Sequence, residues 1–483
     1  MSEASFFWHD YETSGTDARR DHPVQFAGIR TTPDLQPLGE PVSLFCRPPR
    51  DALPHPQACL VTGITPQQAE REGLREAEFA ARVHEELARP GTCAVGYNSL
   101  RFDDEFTRQM LYRNFHDPYA REWQGGNSRW DLIDLARMCY ALRPDGIEWP
   151  LREDGAPSFR LEDLAAANGI EQRRAHDALS DVEALIDLAR LIRARQPRLW
   201  DWYFRLRRKQ RAFELLDLVH KPALLHVSSR YPASRGCLSM IVPLAQHPQR
   251  ANEIIVYDLA VNPVDLILLE PGEIADRVFT PRADLPGDVE RIPLRTIHAN
   301  KSPALAPLSV LDGVDTARIE LDPRRCEVHR KELLAADGIA AKVRAVYAAA
   351  ADRPPPEDPE LAIYAGFPSE GDRRLLDDVR ATPPEKLGRD FGFENARYAD
   401  LLLRYRARNW PQQLSDEERR RWDDFRRERL GSESAMTTLT LESYFAQLQA
   451  LRKTTPPQQQ AMLDSLEQWG RELAAELDLP ITS

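Results

Sequence analysis

Asp10 and Glu12 stand two residues apart inside the aromatic run F-F-W-H-D-Y-E-T, residues 6–13. In an extended chain successive side chains alternate faces, so these carboxylates point the same way and sit side by side. Like charges that close repel, and burial sharpens the repulsion. A lone D-x-E is ordinary on a solvated strand, so the rest of the chain must decide its meaning. Asp103 lies in V-G-Y-N-S-L-R-F-D-D-E-F, and Asp181 follows His176 by five residues in A-H-D-A-L-S-D-V-E-A-L. Singly, Asp103 and Asp177 read as helix caps and His176 as a surface histidine. Brought together, the carboxylates of Asp10, Glu12, Asp103 and Asp181 need cations between them, and hard oxygen donors suit Mg²⁺ or Mn²⁺. Two such ions, about 3.5–4 Å apart, clamp a phosphodiester for hydrolysis. His176, with an unperturbed pKa of about 6.5, suits a general base at neutral pH.

The elements that must position these residues are legible as an α/β pattern over residues 5 to about 195. Strand-like runs S-F-F-W-H-D-Y-E, Q-F-A-G-I-R-T-T, P-V-S-L-F-C-R and T-C-A-V-G-Y-N alternate with helical ones. Three strands before the first long helix predict an antiparallel meander leading into a mixed sheet. The fourth runs out at Asn98, which places Asp103 at a strand-to-helix junction. Ala178, Val182, Leu185, Ile186, Ala189 and Ile192 recur at helical spacing, so Asp181 sits in the first turns of a helix entered at Asp177. Phe7 and Trp8 are expected in the core supporting the acidic pair. Thr65-Pro66-Gln67-Gln68 and Ser415-Asp416-Glu417-Glu418 have the form of capping boxes.

A chain of 483 residues calls for two or three cores. Residues 222 to 320 are richer in β-like runs, among them L-I-L-L-E at 266–270. R-P-P-P-E-D-P, residues 353–359, reads as a stiff linker, and beyond it the pattern is helical. The predicted division is therefore 1–195 α/β, 196–351 β-rich and 352–483 all-helical. No apolar stretch approaches the ~18 residues of a membrane span, and the acidic amino terminus is unlike a signal peptide, which predicts a cytoplasmic protein with no membrane partner. Six dispersed cysteines with no C-x-x-C pair signal neither zinc nor redox chemistry and are expected reduced and mostly buried. A net charge of −12 argues against indiscriminate coating of nucleic acid but leaves room for a local basic groove.

D-x-E on the first strand, N-x-x-x-F-D-x-x-F in the middle and H-x-x-x-x-D on a late helix together resemble the DEDDh family of 3′→5′ exonucleases, and V-T-G-I-T (61–65) fits the same pattern. Within it, H-D-Y-E-T, G-Y-N-x-x-R-F-D-D-E, R-N-F-x-D-P-Y-A, N-S-R-W-D, C-Y-A-L-R-P, P-S-F-R-L-E, A-N-G-I and R-Q-P-R-L resemble the bacterial exodeoxyribonuclease I family. H-x-N-K-x-P (298–303) and Y-R-A-R-N (405–409) carry the resemblance over nearly the whole chain. It implies a ribonuclease H-like exonuclease domain, an SH3-like domain and a helical C-terminal domain. It also implies a Mg²⁺-dependent enzyme that degrades single-stranded DNA 3′→5′ to 5′-mononucleotides in repair and recombination. Asp10, Glu12, Asp103 and Asp181 would be the metal ligands and His176 the base. The family further implies a monomer that docks the acidic tail of the single-stranded DNA-binding protein. Ser14 departs from the bulky aromatic common after the threonine.

Holding a strand calls for rings that stack on any base and cations that pair with phosphates. Residues 102 to 137 offer Phe102, Arg108, Tyr112, Arg113, Tyr119, Trp123, Trp130 and Arg137. The resemblance carries a DNA contact onto Arg108, Tyr119, Trp123, Arg137 and Arg160. Glu12 and Arg160 are expected at the terminal nucleotide. Within the basic run 193–211, Lys209 is the expected phosphate contact, and His298, Asn300 and Lys301 form a second grip by resemblance. Two other functions share these features: an RNA 3′-end trimmer with the same metal chemistry, and a non-catalytic scaffold. The two extra domains weigh against the first, and the complete set of repelling acids against the second.

Overall fold

The computed structural model describes residues 4–172, 177–287, 289–349 and 356–481. The first half of the chain forms, in order, β1 (Ser5–Thr13), β2 (Pro23–Thr31), β3 (Val42–Phe45), α1 (Pro56–Thr62), α2 (Pro66–Glu72), α3 (Glu76–Ala88), β4 (Thr92–Gly96), α4 (Asp103–Arg113), β5 (Ser128–Asp131), α5 (Leu132–Leu142), α6 (Leu161–Ala167) and α7 (Ala178–Arg195). By packing, the chain divides into two units, one of Met1–Asn127, Gln172–Glu183 and Pro355–Ser483, the other of Ser128–Glu171 and Ala184–Pro354. This cuts across the linear division read from the sequence, because side chains of the amino-terminal segment complete the cores of the carboxy-terminal helices.

In the first unit the strands run in the order β3-β2-β1-β4. β1, β2 and β3 form the expected antiparallel meander, and β4 lies parallel to β1 with Phe6 opposite Cys93. Alternation along β1 sends Phe7 and Tyr11 into a core with Phe26, Phe79, Val83, Met110 and Leu111, whereas Asp10 and Glu12 share the opposite face with Trp8. Phe7 and Trp8 are both buried, as the sequence predicts. Gly28 on β2 is needed here: a Cβ at that position would come within 2.3 Å of the Phe7 ring.

The helices Glu370–Ala381, Arg397–Asn409, Asp416–Gly431, Leu441–Arg452 and Gln460–Glu476 belong to the same unit. Tyr112 and Phe115 pack with Val379, Leu387, Tyr398, Leu401 and Tyr405, and Leu53 and Cys59 with Tyr444, Leu466, Trp469 and Leu473. A buried ion network reinforces this packing. Asp51, fully buried, accepts from Arg408 Nε at 3.0 Å and Nη2 at 2.7 Å and from Arg429 Nη1, and Arg408 also reaches Glu360 at 2.8 Å. These guanidinium groups hold the Asp51 carboxyl well below the usual range and Glu360 at about 2, against the opposing pull of burial.

The expected capping box at Ser415 is complete, whereas at Thr65 only half of it forms: Thr65 accepts from Gln68 N at 3.1 Å, but the Gln68 amide turns to Glu72 instead. Residues 350–355, which include the first three residues of the expected linker, lie outside the described residues. Its end is packed rather than extended, since Asp358 caps a short 3₁₀ helix, Pro359–Tyr364, that buries Glu360.

In the second unit β6 (Leu224–Val227), β7 (Leu238–Gln246), β8 (Glu253–Asp258), β9 (Leu294–His298) and β10 (Ala304–Pro307) form an antiparallel sheet in the order β10-β6-β7-β8-β9. Leu266–Glu270, read as a strand, instead begins inside the short helix Val264–Leu268 and runs out of it at Leu269. A strand would place Leu266 and Leu268 on one face, yet Leu266 is fully buried and Leu268 is 73% exposed. Residues 128–171 are fastened to the β-rich segment: Trp130 packs on Trp200, Tyr203 and Phe204, and Arg318 Nη2 donates to the carbonyls of Tyr140 and Ala141.

Candidate active site

The extended backbone of β1 sets the Asp10 and Glu12 side chains next to each other. The first turn of α7 adds Asp181, and a carboxylate oxygen from each of the three lies within 4.8 Å of the others. Asp103 opens α4 just after the turn in which Asn98 adopts a positive φ of 63°. Its Oδ1 accepts from the Tyr11 amide at 3.2 Å, so the β1 backbone between the two strand carboxylates fixes the third segment. The Thr107 hydroxyl stitches the same junction, donating to Asp103 O and lying 3.0 Å from the Tyr11 hydroxyl.

The electrostatics follow from this crowding. Burial, then the charges of Asp103, Glu12 and Asp181, hold the Asp10 carboxyl well above its ordinary range. Burial, then Asp181, Asp103 and Asp177, push Glu12 up to about 9. Four carboxylates that resist ionising together, offering only hard oxygen donors, fit a divalent cation site. The donor set contains neither cysteine nor any described histidine, which separates it from structural zinc sites.

His176 lies outside the described residues. On either side of that segment, Gln172 Nε2 donates to Asp181 Oδ1 at 2.5 Å and Gln25 Nε2 donates to Asp177 Oδ1 at 3.2 Å. Neither glutamine was singled out by the sequence, because an amide that orients a carboxylate across 9 or 152 residues has no local signature.

The expected strand contacts divide between the units. In the first, Trp123 is 65% exposed. Tyr119 is half-buried, edge-on to Phe367 at 5.7 Å, with the Arg108 guanidinium 5.5 Å from its ring centre. Arg108 is itself buried and donates to Glu122 from Nε at 2.7 Å and Nη2 at 3.1 Å and to Glu105 at 2.8 Å. In the second, Arg137 is buried, paired with Asp134 at 2.7 Å and set beside the Phe159 ring. Arg160 and Lys209 are exposed at the starts of α6 and of the helix Lys209–Leu215, the former bonded to Glu162. His298 ends β9 near Glu253, with its imidazole pKa lowered by burial, and its carbonyl accepts from Lys301 N at 3.1 Å across the turn that exposes Asn300.

Three other residues of the 102–137 segment belong to the core. Tyr112 is buried with its hydroxyl on Pro359 O, Arg113 is buried against Glu76, and Trp130 is fully buried. Their size and charge satisfied interior needs that spacing alone did not reveal.

Three family models match the chain: Exonuclease over residues 7–189, Exonuclease I SH3-like domain over 207–349 and Exonuclease I C-terminal domain over 357–473. Exodeoxyribonuclease I of Escherichia coli is 42% identical over 474 residues, 98% of either chain, and that of Haemophilus influenzae 40% identical over 89% of this chain and 91% of its own. Among solved structures, the moderately thermophilic exonuclease I of Methylocaldum szegediense superposes with a TM-score of 0.93 at 48% identity, covering 97% of this chain and 99% of that one. Escherichia coli exonuclease I in complex with a dA16 oligonucleotide gives a TM-score of 0.93 at 42% identity, covering 98% and 100%. The zinc-bound form of the E. coli complex with single-stranded DNA gives 0.92 at the same identity, with the same coverage of either chain.

Proposed function

Because the chain belongs to the exonuclease I family, we propose that it is an exodeoxyribonuclease that hydrolyses single-stranded DNA from the 3′ end and releases 5′-mononucleotides. The observation that carries this reading is the convergence of Asp10, Glu12 and Asp181 within 4.8 Å, with Asp103 secured to the same strand by the Tyr11 amide. Asp10, Glu12, Asp103 and Asp181 would hold two divalent cations, Mg²⁺ or in its place Mn²⁺. Divalent cations bound there would supply the positive charge that acidifies a water and stabilises the leaving 3′-oxygen.

The remaining work falls to side chains. His176 takes the proton of the attacking water. Glu12 and Arg160 hold the terminal nucleotide. Each unit adds contacts of its own, Arg108, Tyr119 and Trp123 in the first and Arg137, Lys209, His298, Asn300 and Lys301 in the second. Stacking and phosphate pairing of this kind bind a strand whatever its sequence. The enzyme acts as a cytoplasmic monomer in DNA repair and recombination, and basic residues of its later domains receive the acidic, apolar tail of the single-stranded DNA-binding protein. No helix among the described residues is long and apolar enough to cross a membrane.

Digestion of a 5′-labelled single-stranded DNA, with an RNA copy in parallel, tests this reading. The expected result is a ladder shrinking from the 3′ end of the DNA in Mg²⁺, absent in EDTA and absent with Asp181→Ala. Faster loss of the RNA overturns the substrate assignment; tight DNA binding without shortening overturns the enzyme.

A further inference from the structure

Between α4 and β5 runs a loop, residues 117–127, that displays the Trp123 ring to solvent while its backbone is pinned. Asp117 Oδ1 accepts from the amides of Tyr119 at 2.9 Å and Ala120 at 3.0 Å. At the other end Asn127 accepts from Thr92 N at 3.0 Å and donates to the carbonyls of Arg121 at 3.1 Å and Leu87 at 3.2 Å. The middle is secured by an ion pair. Arg121, with a fully buried side chain, donates from Nη2 to Asp104 Oδ1 at 2.6 Å, and Asp104 is 2% exposed.

This pair is a poor choice if stability is its only purpose. Apolar residues of similar volume generally serve a buried position as well as two desolvated charges do. Here Arg121 Nε and Nη1 have no hydrogen-bond partner among the described residues, which adds to the desolvation penalty. What an ion pair supplies and an apolar contact does not is a fixed direction. Asp104 follows Asp103 on the first turn of α4, so Arg121 ties the Trp123 loop to the helix that bears a metal ligand. Asp103 itself is oriented separately, by the Tyr11 amide.

We propose that Arg121 and Asp104 are positioning residues that fix the Trp123 loop to the first turn of α4, so that the stacking surface for the DNA strand is already in place before the strand arrives. A ring displayed on a pinned loop loses little freedom on stacking, and that saving appears in binding rather than in the chemical step. The inference rests on the reading of Trp123 as a DNA contact, and the test separates the two.

The experiment uses the full chain and neutralises both partners together, Asp104→Asn with Arg121→Met, so that neither charge is left buried alone. Kinetics are measured on a single-stranded DNA of about thirty nucleotides and on a p-nitrophenyl ester of thymidine 5′-monophosphate, which is too small to reach beyond the metal site. The expected result is a KM for DNA raised roughly tenfold with kcat within about twofold, unchanged turnover of the small ester, and recovery of much of the KM by Arg121→Lys in the presence of native Asp104. Introduced into a Trp123→Ala background, the double change adds nothing further. Equal losses on DNA and ester overturn the inference, because the pair would then support the metal site or the fold. An unaltered KM for the double variant, where Trp123→Ala alone raises it, also overturns it. If Trp123→Ala leaves the KM unchanged, the reading of Trp123 fails and this inference with it.

Discussion

Neutralising Glu12 should stabilise the metal-free protein and destabilise the metal-loaded one relative to wild type. With carboxylate oxygens of Asp10, Glu12 and Asp181 within 4.8 Å of one another, each ionised pair costs about 3 kcal/mol at an effective dielectric of about 20. Taking up a proton avoids the repulsion at a similar cost. A carboxyl held at about 9 instead of 4.5 is protonated at pH 7 at an expense of about 3 kcal/mol relative to the unfolded chain. Glu12→Gln keeps the shape and removes both alternatives, so after some loss of hydrogen bonding it should gain about 1–3 kcal/mol in EDTA, or roughly 3–9 °C in Tm at about 3 °C per kcal/mol. Saturating Mg²⁺ reverses the ranking. At a thousand times Kd, binding stabilises the wild type by about 4.1 kcal/mol, which exceeds the variant's advantage, and the variant, short of one ligand, gains little and has no nuclease activity. Differential scanning fluorimetry at one scan rate, with EDTA and with Mg²⁺, reads both signs. A variant that melts below the wild type in EDTA would refute the reasoning, because the acidic cluster would then not be held against its own repulsion.

Asp51→Asn leaves Arg408 and Arg429 buried with weakened partners and should cost about 3–5 kcal/mol, read as a lower Tm; a change under about 1 °C would contradict the role given to the network. Asp51 and Glu360 have carboxyls held below their unfolded values, so their contribution is present above about pH 4.5 and is lost as pH falls toward 2. Acid unfolding of the wild type should therefore steepen in that window, and Asp51→Asn should flatten it. Trp123→Ala should weaken single-stranded DNA binding by about 1–3 kcal/mol with Tm unchanged, since the ring is 65% exposed; fluorescence anisotropy and a melting curve check the two halves. Lys209→Ala should weaken binding evenly across sequences and reduce the slope of log K against log salt by about 0.7, measurable by anisotropy over a salt series.

What the sequence disclosed about the site is what backbone geometry decides locally. The alternation of β1 gives Asp10 and Glu12 a common face, a strand running out near Asn98 gives Asp103 its place at the start of α4, and the 3.6-residue spacing after Ala178 places Asp181 in the first turn of α7. What it concealed is what distant partners decide. Arg113 looked like a phosphate contact until Glu76 buried it, and Tyr112 and Trp130 looked like stacking rings until the cores claimed them. Charge and ring size are visible in a sequence, but the identity of the neighbour is not. Leu266–Glu270 went astray for a related reason: a short apolar run fits a strand and a helix equally until burial separates Leu266 from Leu268.

The same distinction explains how a fold can hold mutually repelling acids at all. The face of β1 opposite Asp10 and Glu12 is packed against Phe26, Phe79 and Met110, and the Phe7 ring fills the space that only a glycine at position 28 leaves open. Rotating either carboxylate away would require the strand to shift, and a close-packed interior resists that. Beyond the sheet, Asp51 joins Arg408 and Arg429 across more than 350 residues of sequence, so the carboxy-terminal helices brace the segment that carries β1. Repulsion at the site is thus offset by packing elsewhere in the same unit, and the energy stored there becomes available as affinity when a cation enters. A protein selected for stability alone would place apolar or paired residues at these four positions; retaining the four acids is consistent with selection for catalysis.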